Sequence, residues 1–402
     1  MLIDKLIEYC KYDTQSNEES ESVPSTEKQK VLAKHLLDEL NKLGLINTQM
    51  DEYGYVYGFL DGDHSKPTIG LNAHMDTSPD ASGENVNPRI INNYDGNDIQ
   101  LNENLSTKIS RFPHMSKYVG KTLVVTDGNT LLGADDKAGV AIIMQTLEEI
   151  INNNLPHGPI WVCFSPDEEI GRGTDKFNYD LFKVDFAYTL DGDDVNYIEY
   201  ENFNAASARV YLTGISVHPG DAKDKMVNAI SLANEFNSNL DPMKVPEHTS
   251  GYQGFNHMVS IKGEVGNCEL DYIIRNHDID QLNEQKKSFV DIEKNMNDKY
   301  GYDCVKVVLK DGYRNMKEKF AENMYPIDLV HEAMDSLNMK FEAKAIRGGT
   351  DGANMTWNGI LCPNLGTGGG NYHGVHEFWC KEDGEKAVKL LEKILEIAKK
   401  IK

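Results

Sequence analysis

Three apolar runs in this chain stop at histidine or acid. They read TIGLNAHMD over 68–76, PIWVCFSPDEE over 159–169 and FAYTLDGDD over 186–194. Each is short enough for a strand, and the first two are separated by a helical pattern over about 137–153, with Val140, Ile142, Ile143 and Leu147 at helical spacing. Strand, helix, strand, strand in this order predicts an α/β domain: a mixed, largely parallel sheet flanked by helices. In such sheets ligands bind beyond the carboxyl ends of the strands. Here those ends carry His74 with Asp76, Glu168 with Glu169, and Asp191.

The rest of the chain fits around that sheet. A helix is expected over about 1–12. A second runs over 26–43, where Val31, Leu32, His35, Leu36, Leu40 and Leu43 recur until Gly44 ends it. Residues 53–60 read as a strand, and 77–120, rich in Asn, Asp, Gly and Ser, as a surface loop or small flap. From about 205 the texture changes to strands such as AASARVYLTG and CELDYIIRN and a charged amphipathic helix, QLNEQKKSFVDIEKNMNDKYG. This is a smaller α+β unit. From about 320 the chain returns to the first domain through a helix at 325–338, the strand LCPNLGT, a glycine-rich loop and a terminal helix at 383–401. The expected organisation is therefore 1–204 and 320–402 as one domain, with 205–319 inserted; 402 residues suit two or three domains.

Charge excludes some classes. Against 41 Lys and Arg stand 64 Asp and Glu, a net −23, which disfavours nucleic acid and anionic membrane surfaces as partners. No apolar run approaches the ~20 residues of a membrane helix, and the N-terminus lacks a signal-peptide pattern. The six cysteines are scattered without CxxC, so a reducing cytoplasm is expected.

Each acidic or histidine motif has an ordinary structural explanation by itself. His74 and Asp76 are polar residues at a strand end, Asp136 can cap the helix that follows, and Asp167-Glu168-Glu169 can be a solvated turn. Taken together they say more. His74 and Asp76 face the same side of a strand, so the carboxylate can fix the ring and strengthen it as a ligand. His74, Asp135, Glu169, Asp191 and His373 supply two imidazoles and three carboxylates. That set suits two divalent ions with one carboxylate bridging, and Glu168 remains as a base. Nitrogen and oxygen donors without sulfur admit Zn²⁺, Co²⁺ or Mn²⁺, with zinc favoured.

The motifs AHMDTSPD, GADDKAG, SPDEEIGRG, TLDG and NYHGVHEF, in this order, resemble the M20 group of co-catalytic zinc metallopeptidases. The likeness continues through YENFNAAS, GISVHPGDAKDKMVNA, DYIIRN, AIRGGTDGA and CPNLGTGGGNYHG, nearly the whole chain. The resemblance implies that His74, Asp135 and Asp191 hold one zinc and Asp135, Glu169 and His373 the other. It also implies that Asp76 orients His74, that Glu168 is the general base and that the Asp135–Asp136 peptide is cis. The inserted domain would be a lid or dimerisation domain, allowing a homodimer. His218 would reach the scissile carbonyl oxygen, and Arg275 and Arg347 are candidates for the substrate carboxylate.

The implied activity is release of the N-terminal residue of tripeptides by water activated between two zinc ions. The rivals are a dipeptidase, an N-acyl-amino-acid deacylase and a non-catalytic metal- or peptide-binding protein; the presence of Glu168 speaks against the last. The segment GDDVN after Asp191 is less glycine-rich than the family pattern, which leaves the roles of Asp193 and Asp194 open.

Overall fold

A computed structural model describes residues 1–400. The chain divides into two compact units. One comprises Met1–Tyr200, Glu318–Lys344 and the chain from Thr350 onward; the other comprises Glu201–Lys317 and Ala345–Gly349. The short return at Ala345–Gly349 was not part of the sequence expectation. Its cause is Arg347, which donates to the carbonyls of Gly251 and Gln253 and to Thr249 Oγ1 and lies over the rings of Phe203 and Phe255.

The first unit is built on an eight-stranded mixed sheet. Its order is Ile46–Met50, Val56–Leu60, Ile160–Ser165, Ile69–His74, Phe186–Gly192, Asn364–Gly366, Tyr197–Asn202 and Glu342–Ile346. The four strands from Ile160–Ser165 to Asn364–Gly366 run parallel, and the antiparallel pairs lie outside them. Every residue of Ile69–His74 and Ile160–Ser165 is buried, so both sheet faces are covered, as parallel sheets require. The helix Ala134–Asn153 packs on Ile69–His74 and Phe186–Gly192, and the helices Leu2–Cys10 and Lys381–Ile397 pack on that helix. The two outermost strands, INTQM and EAKAI, were not expected. They are sheet edges, half-exposed and polar, and carry no alternating pattern to read.

The segment 77–120 is more ordered than a loop. Arg89–Ile91 joins Leu123–Val125, Phe378–Cys380 and Gly369–Gly370 in a four-stranded sheet, and Tyr94, Ile99, Met115 and Tyr118 pack with Phe378 beneath it. This small sheet brackets the loop that carries His373. In the long helix, Asp135 and Asp136 have non-helical backbone angles and are joined by a cis peptide, so regular helix begins after Asp136.

The second unit is a four-stranded antiparallel sheet in the order Phe255–Gly263, Asn267–Asn276, Asn204–Thr213, Val305–Asp311. The alternating burial of Asn267–Asn276 shows one covered face. Helices Ala229–Ser238 and Ile279–Tyr300 cover it, with Phe236, Leu270, Tyr272, Ile274 and Phe289 at the core. Among the described residues no helix is long and apolar enough to cross a membrane.

Candidate active site

The carboxyl ends of three neighbouring parallel strands converge. His74 ends Ile69–His74 in register with Ser165, Glu168 and Glu169 follow three and four residues after that serine, and Asp191 is the last residue but one of the strand Phe186–Gly192. His74 Nε2 lies 3.1 Å from Asp135 Oδ1 and 3.5 Å from Asp191 Oδ1. His373 Nε2 lies 2.9 Å from Glu169 Oε2 and 3.4 Å from Asp135 Oδ2. Asp135 thus turns one oxygen to each imidazole.

Three buried carboxylates hold this geometry. Asp76 is the first. His74 Nδ1 faces its carbonyl at 3.1 Å and its Oδ1 at 3.3 Å. Its two carboxylate oxygens accept the backbone N–H groups of Glu168, at 3.0 Å, and Glu169, at 3.2 Å. Asp76 therefore faces the ring and also fixes the backbone of the acid pair, a contact the sequence did not reveal. Asp136 is the second: it accepts the N–H of Gly139, the helix-capping role expected of it, and also the N–H of His74. Glu377 is the third. It accepts the N–H groups of Leu132 (2.7 Å), Gly133 (2.8 Å) and Asp135 (3.0 Å), and so anchors the loop that presents Asp135. Beyond them Ser165 donates to the buried Asp351. Asp167, the first acid of its trio, instead accepts from Ser25 and Gln29.

Electrostatics follow from burial and crowding. Burial, then the charge of Asp135, lifts Glu169 to about 8; burial lifts Asp191 to about 6 against the hydrogen bond from His74. Burial and Asp191 raise Glu168 well above the usual carboxylate range. Burial also acts on Asp135, but the hydrogen bonds from His373 and His74 prevail and hold its pKa down. Hydrogen bonds to Asp135 and Glu169 raise His373 to about 11. Burial opposes protonation of His74, yet Asp135, Asp191 and Asp76 raise its pKa well above normal.

These residues fit a divalent cation. In both histidines Nε2 faces carboxylate oxygens, and in His74 Nδ1 is committed to Asp76, which is the tautomer a ligating ring needs. Glu169 Oε1 is buried without a hydrogen-bond partner. Two trios place ligand atoms within 4.8 Å of one another: His74, Asp135 and Glu169, and His74, Glu168 and Asp191.

The other expected residues lie elsewhere. Lys344 pairs with Asp193 at 3.1 Å and Lys117 with Asp194 at 2.8 Å, so both acids are neutralised by lysines. In the second unit His218 is exposed and its Nδ1 accepts the N–H of Gly220. Arg275 is half-buried, donates to the carbonyls of Ala206 and Ile274 and lies over the ring of Tyr313.

The sequence matches the model of peptidase family M20/M25/M40 over residues 122–397. It is 48% identical over 401 residues to the peptidase T of Halothermothrix orenii and, equally, to that of Clostridium acetobutylicum, with 98% of each chain covered in both cases. Among solved structures, a tripeptidase of Staphylococcus aureus superposes with a TM-score of 0.80 at 22% identity, covering 98% of this chain and 97% of that one. An aminopeptidase, PepT, of Bacillus cereus superposes with 0.77 at 21%, with the same coverage. These two share the fold. With acids and histidines gathered at the strand ends and relatives matching end to end, the chain belongs to peptidase family M20/M25/M40, in its peptidase T group.

Proposed function

We propose that the chain is a metal-dependent aminopeptidase that releases the N-terminal residue of tripeptides. The observation that carries this reading is Asp135, with one oxygen toward His74 and the other toward His373. We assign two zinc ions, one to His74, Asp135 and Asp191, the other to Asp135, Glu169 and His373. Cations held there would polarise the scissile carbonyl and make water acidic enough to attack near neutral pH. Glu168, held by its backbone to Asp76, takes the proton of the attacking water and returns it to the leaving amine. Asp76 keeps the His74 ring and the Glu168–Glu169 backbone in mutual register. The six cysteines are unpaired and buried, which supports a cytoplasmic enzyme. Self-association through the second unit belongs to the same proposal; Val259 and Ile261 on one edge strand of its sheet and Val308 on the other are exposed.

Arg347 is our first choice for the substrate carboxylate and Arg275 the second. Three of the five N–H donors of Arg347 go to neutral acceptors, so two remain for a fork onto a carboxylate. Turnover of matched di-, tri- and tetrapeptides by zinc-loaded protein tests the reading. Tripeptides with both ends free should be cleaved best. An amidated C-terminus should lower kcat/KM about tenfold or more, the cost of one charge-assisted hydrogen bond. Faster cleavage of acetylated amino acids would make the enzyme a deacylase, and a preference for dipeptides a dipeptidase.

We assign His218 to the developing oxyanion. His218→Ala should lower kcat roughly 10²-fold, by analogy with loss of one oxyanion donor, while KM and metal content hold. If His218 only shapes the turn before Pro219, the variant melts earlier and keeps near-normal kcat.

A further inference from the structure

The two imidazoles of the site are held unequally. His74 ends a strand whose every residue is buried, and its side chain is 2% exposed. Its Nδ1 faces the carbonyl and the buried carboxylate of Asp76. His373 lies outside any strand, between Gly369–Gly370 and Phe378–Cys380, with a left-handed backbone at φ 62°. Its side chain is 45% exposed. Nε2 of this ring faces Glu169 and Asp135, so the direction of the ring depends on what stands at Nδ1. The group there is Asp80, whose Oδ2 lies 3.5 Å away. Among the described residues Asp80 pairs with no lysine or arginine; its ionic contact is His373.

The Asp80 carboxylate is 69% exposed, yet its backbone is anchored. Its N–H donates to Ser78 Oγ at 3.2 Å. The side-chain amide of Gln15 donates to carbonyls that flank it, those of Ser78 at 3.2 Å and Ala81 at 2.9 Å. Ser16 donates to the carbonyl of Thr77 through both its N–H and its hydroxyl. The carbonyl of Ser82 accepts the N–H of Leu131, at the start of the loop that presents Asp135. The turn bearing Asp80 is therefore fixed to the N-terminal segment on one side and to the Asp135 loop on the other. One short segment, HMDTSPD, thus places a carboxylate at Nδ1 of each imidazole.

A ligating imidazole donates its second N–H to a carboxylate or carbonyl, which fixes its tautomer and direction and makes it a better ligand. Asp76 stands at that position for His74. An exposed ion pair adds little to fold stability. Stability therefore does not explain why an anchored turn aims a carboxylate at the ring of His373.

We propose that Asp80 is the positioning residue of His373: it accepts the Nδ1–H of the ring and sets the affinity of the cation assigned to Asp135, Glu169 and His373. The proposal rests on the two-cation reading above. Asp80 acts through the ring and not on the substrate. Its pair with His373 is open to solvent, whereas the pair of Asp76 with His74 is not. The cation on His373 is accordingly the more readily exchanged of the two, and Asp80 bears on that cation alone.

The test titrates Zn²⁺ into metal-free protein in competition with a chromogenic chelator, which yields a Kd for each equivalent bound. Wild type, Asp80→Ala, Asp80→Asn, His373→Ala and the double variant Asp80→Ala/His373→Ala are compared, with the thermal midpoint of each metal-free protein. Wild type should take two equivalents. Asp80→Ala should weaken one of them roughly ten- to a hundredfold, the usual cost of losing such a partner, and leave the other within about twofold. The zinc concentration for half-maximal turnover should rise by the same factor. Asp80→Asn keeps an acceptor oxygen without the charge and should lose less. His373→Ala identifies which Kd belongs to its ring, and on that background Asp80→Ala should change nothing further. Equal weakening of both equivalents, or weakening that persists in the double variant, overturns the assignment alone. So does a lowered metal-free midpoint with both Kd values unchanged, which would make Asp80 a part of the turn and nothing more. A wild type that takes up a single equivalent overturns the two-cation reading, and this assignment with it.

Discussion

Glu168→Ala should lower turnover roughly 10²–10⁴-fold, the usual cost of losing a general base, with metal content near that of wild type. The separation of these two readouts comes from the backbone. The N–H groups of Glu168 and Glu169 are each fixed to a different oxygen of Asp76, so cutting back the Glu168 side chain leaves Glu169 where it is. Glu169→Ala is the counterpart: it removes the carboxylate nearest His373 and should lose metal as well as activity. Glu168 also lies close enough to His74 and Asp191 to share a cation with them. If it does so in the working enzyme, elemental analysis of Glu168→Ala will show lost metal, and the assignment of base and ligand is wrong.

Asp135→Ala should be the most damaging single change at the site. Both imidazoles face this one carboxylate, at 3.1 and 3.4 Å, so neither cation position survives its removal. Turnover should fall below detection, and titration with Zn²⁺ should no longer raise the melting temperature. In wild type a cation at a hundred times its Kd adds about 2.7 kcal/mol to stability, because it binds the folded chain and not the unfolded one. Differential scanning calorimetry with and without chelator measures that difference directly. A variant that retains the zinc-dependent shift would show that Asp135 does not bridge.

The central strands and the residues at their ends were legible because burial leaves a mark on sequence. A run such as IWVCFS can only be an interior strand, and the acids that follow it stand out against it. Of the supporting carboxylates, Glu377 left no such mark. Glu377 is recognisable as an anchor only once Leu132, Gly133 and Asp135, some 240 residues earlier in the chain, are seen to donate to it. Asp351 sits in an ordinary-looking segment at the start of a helix, and only its bond from the distant Ser165 singles it out. The edge strands INTQM and EAKAI were missed for the opposite reason: too little of them is buried to impose a pattern. Arg347 was read as a charge awaiting a substrate, which its sequence context permits. The structure adds that this guanidinium also ties Ala345–Gly349 to the loop at 249–253.

The order of the large sheet also governs how the chain reaches this state. Phe186–Gly192 and Tyr197–Asn202 are consecutive in sequence, yet they do not pair; Asn364–Gly366 lies between them. Until that late segment arrives, two strand edges face an empty slot one strand wide, and the end of the sheet bearing Asp191 is unfinished. Closing the slot joins segments some 170 residues apart, the kind of long-range pairing that slows folding. A chain halted before this point exposes the two bare edges to any other extended polypeptide, the usual route to aggregation. The competent site therefore forms late, and the interval before it forms is when this protein is most exposed to misassembly.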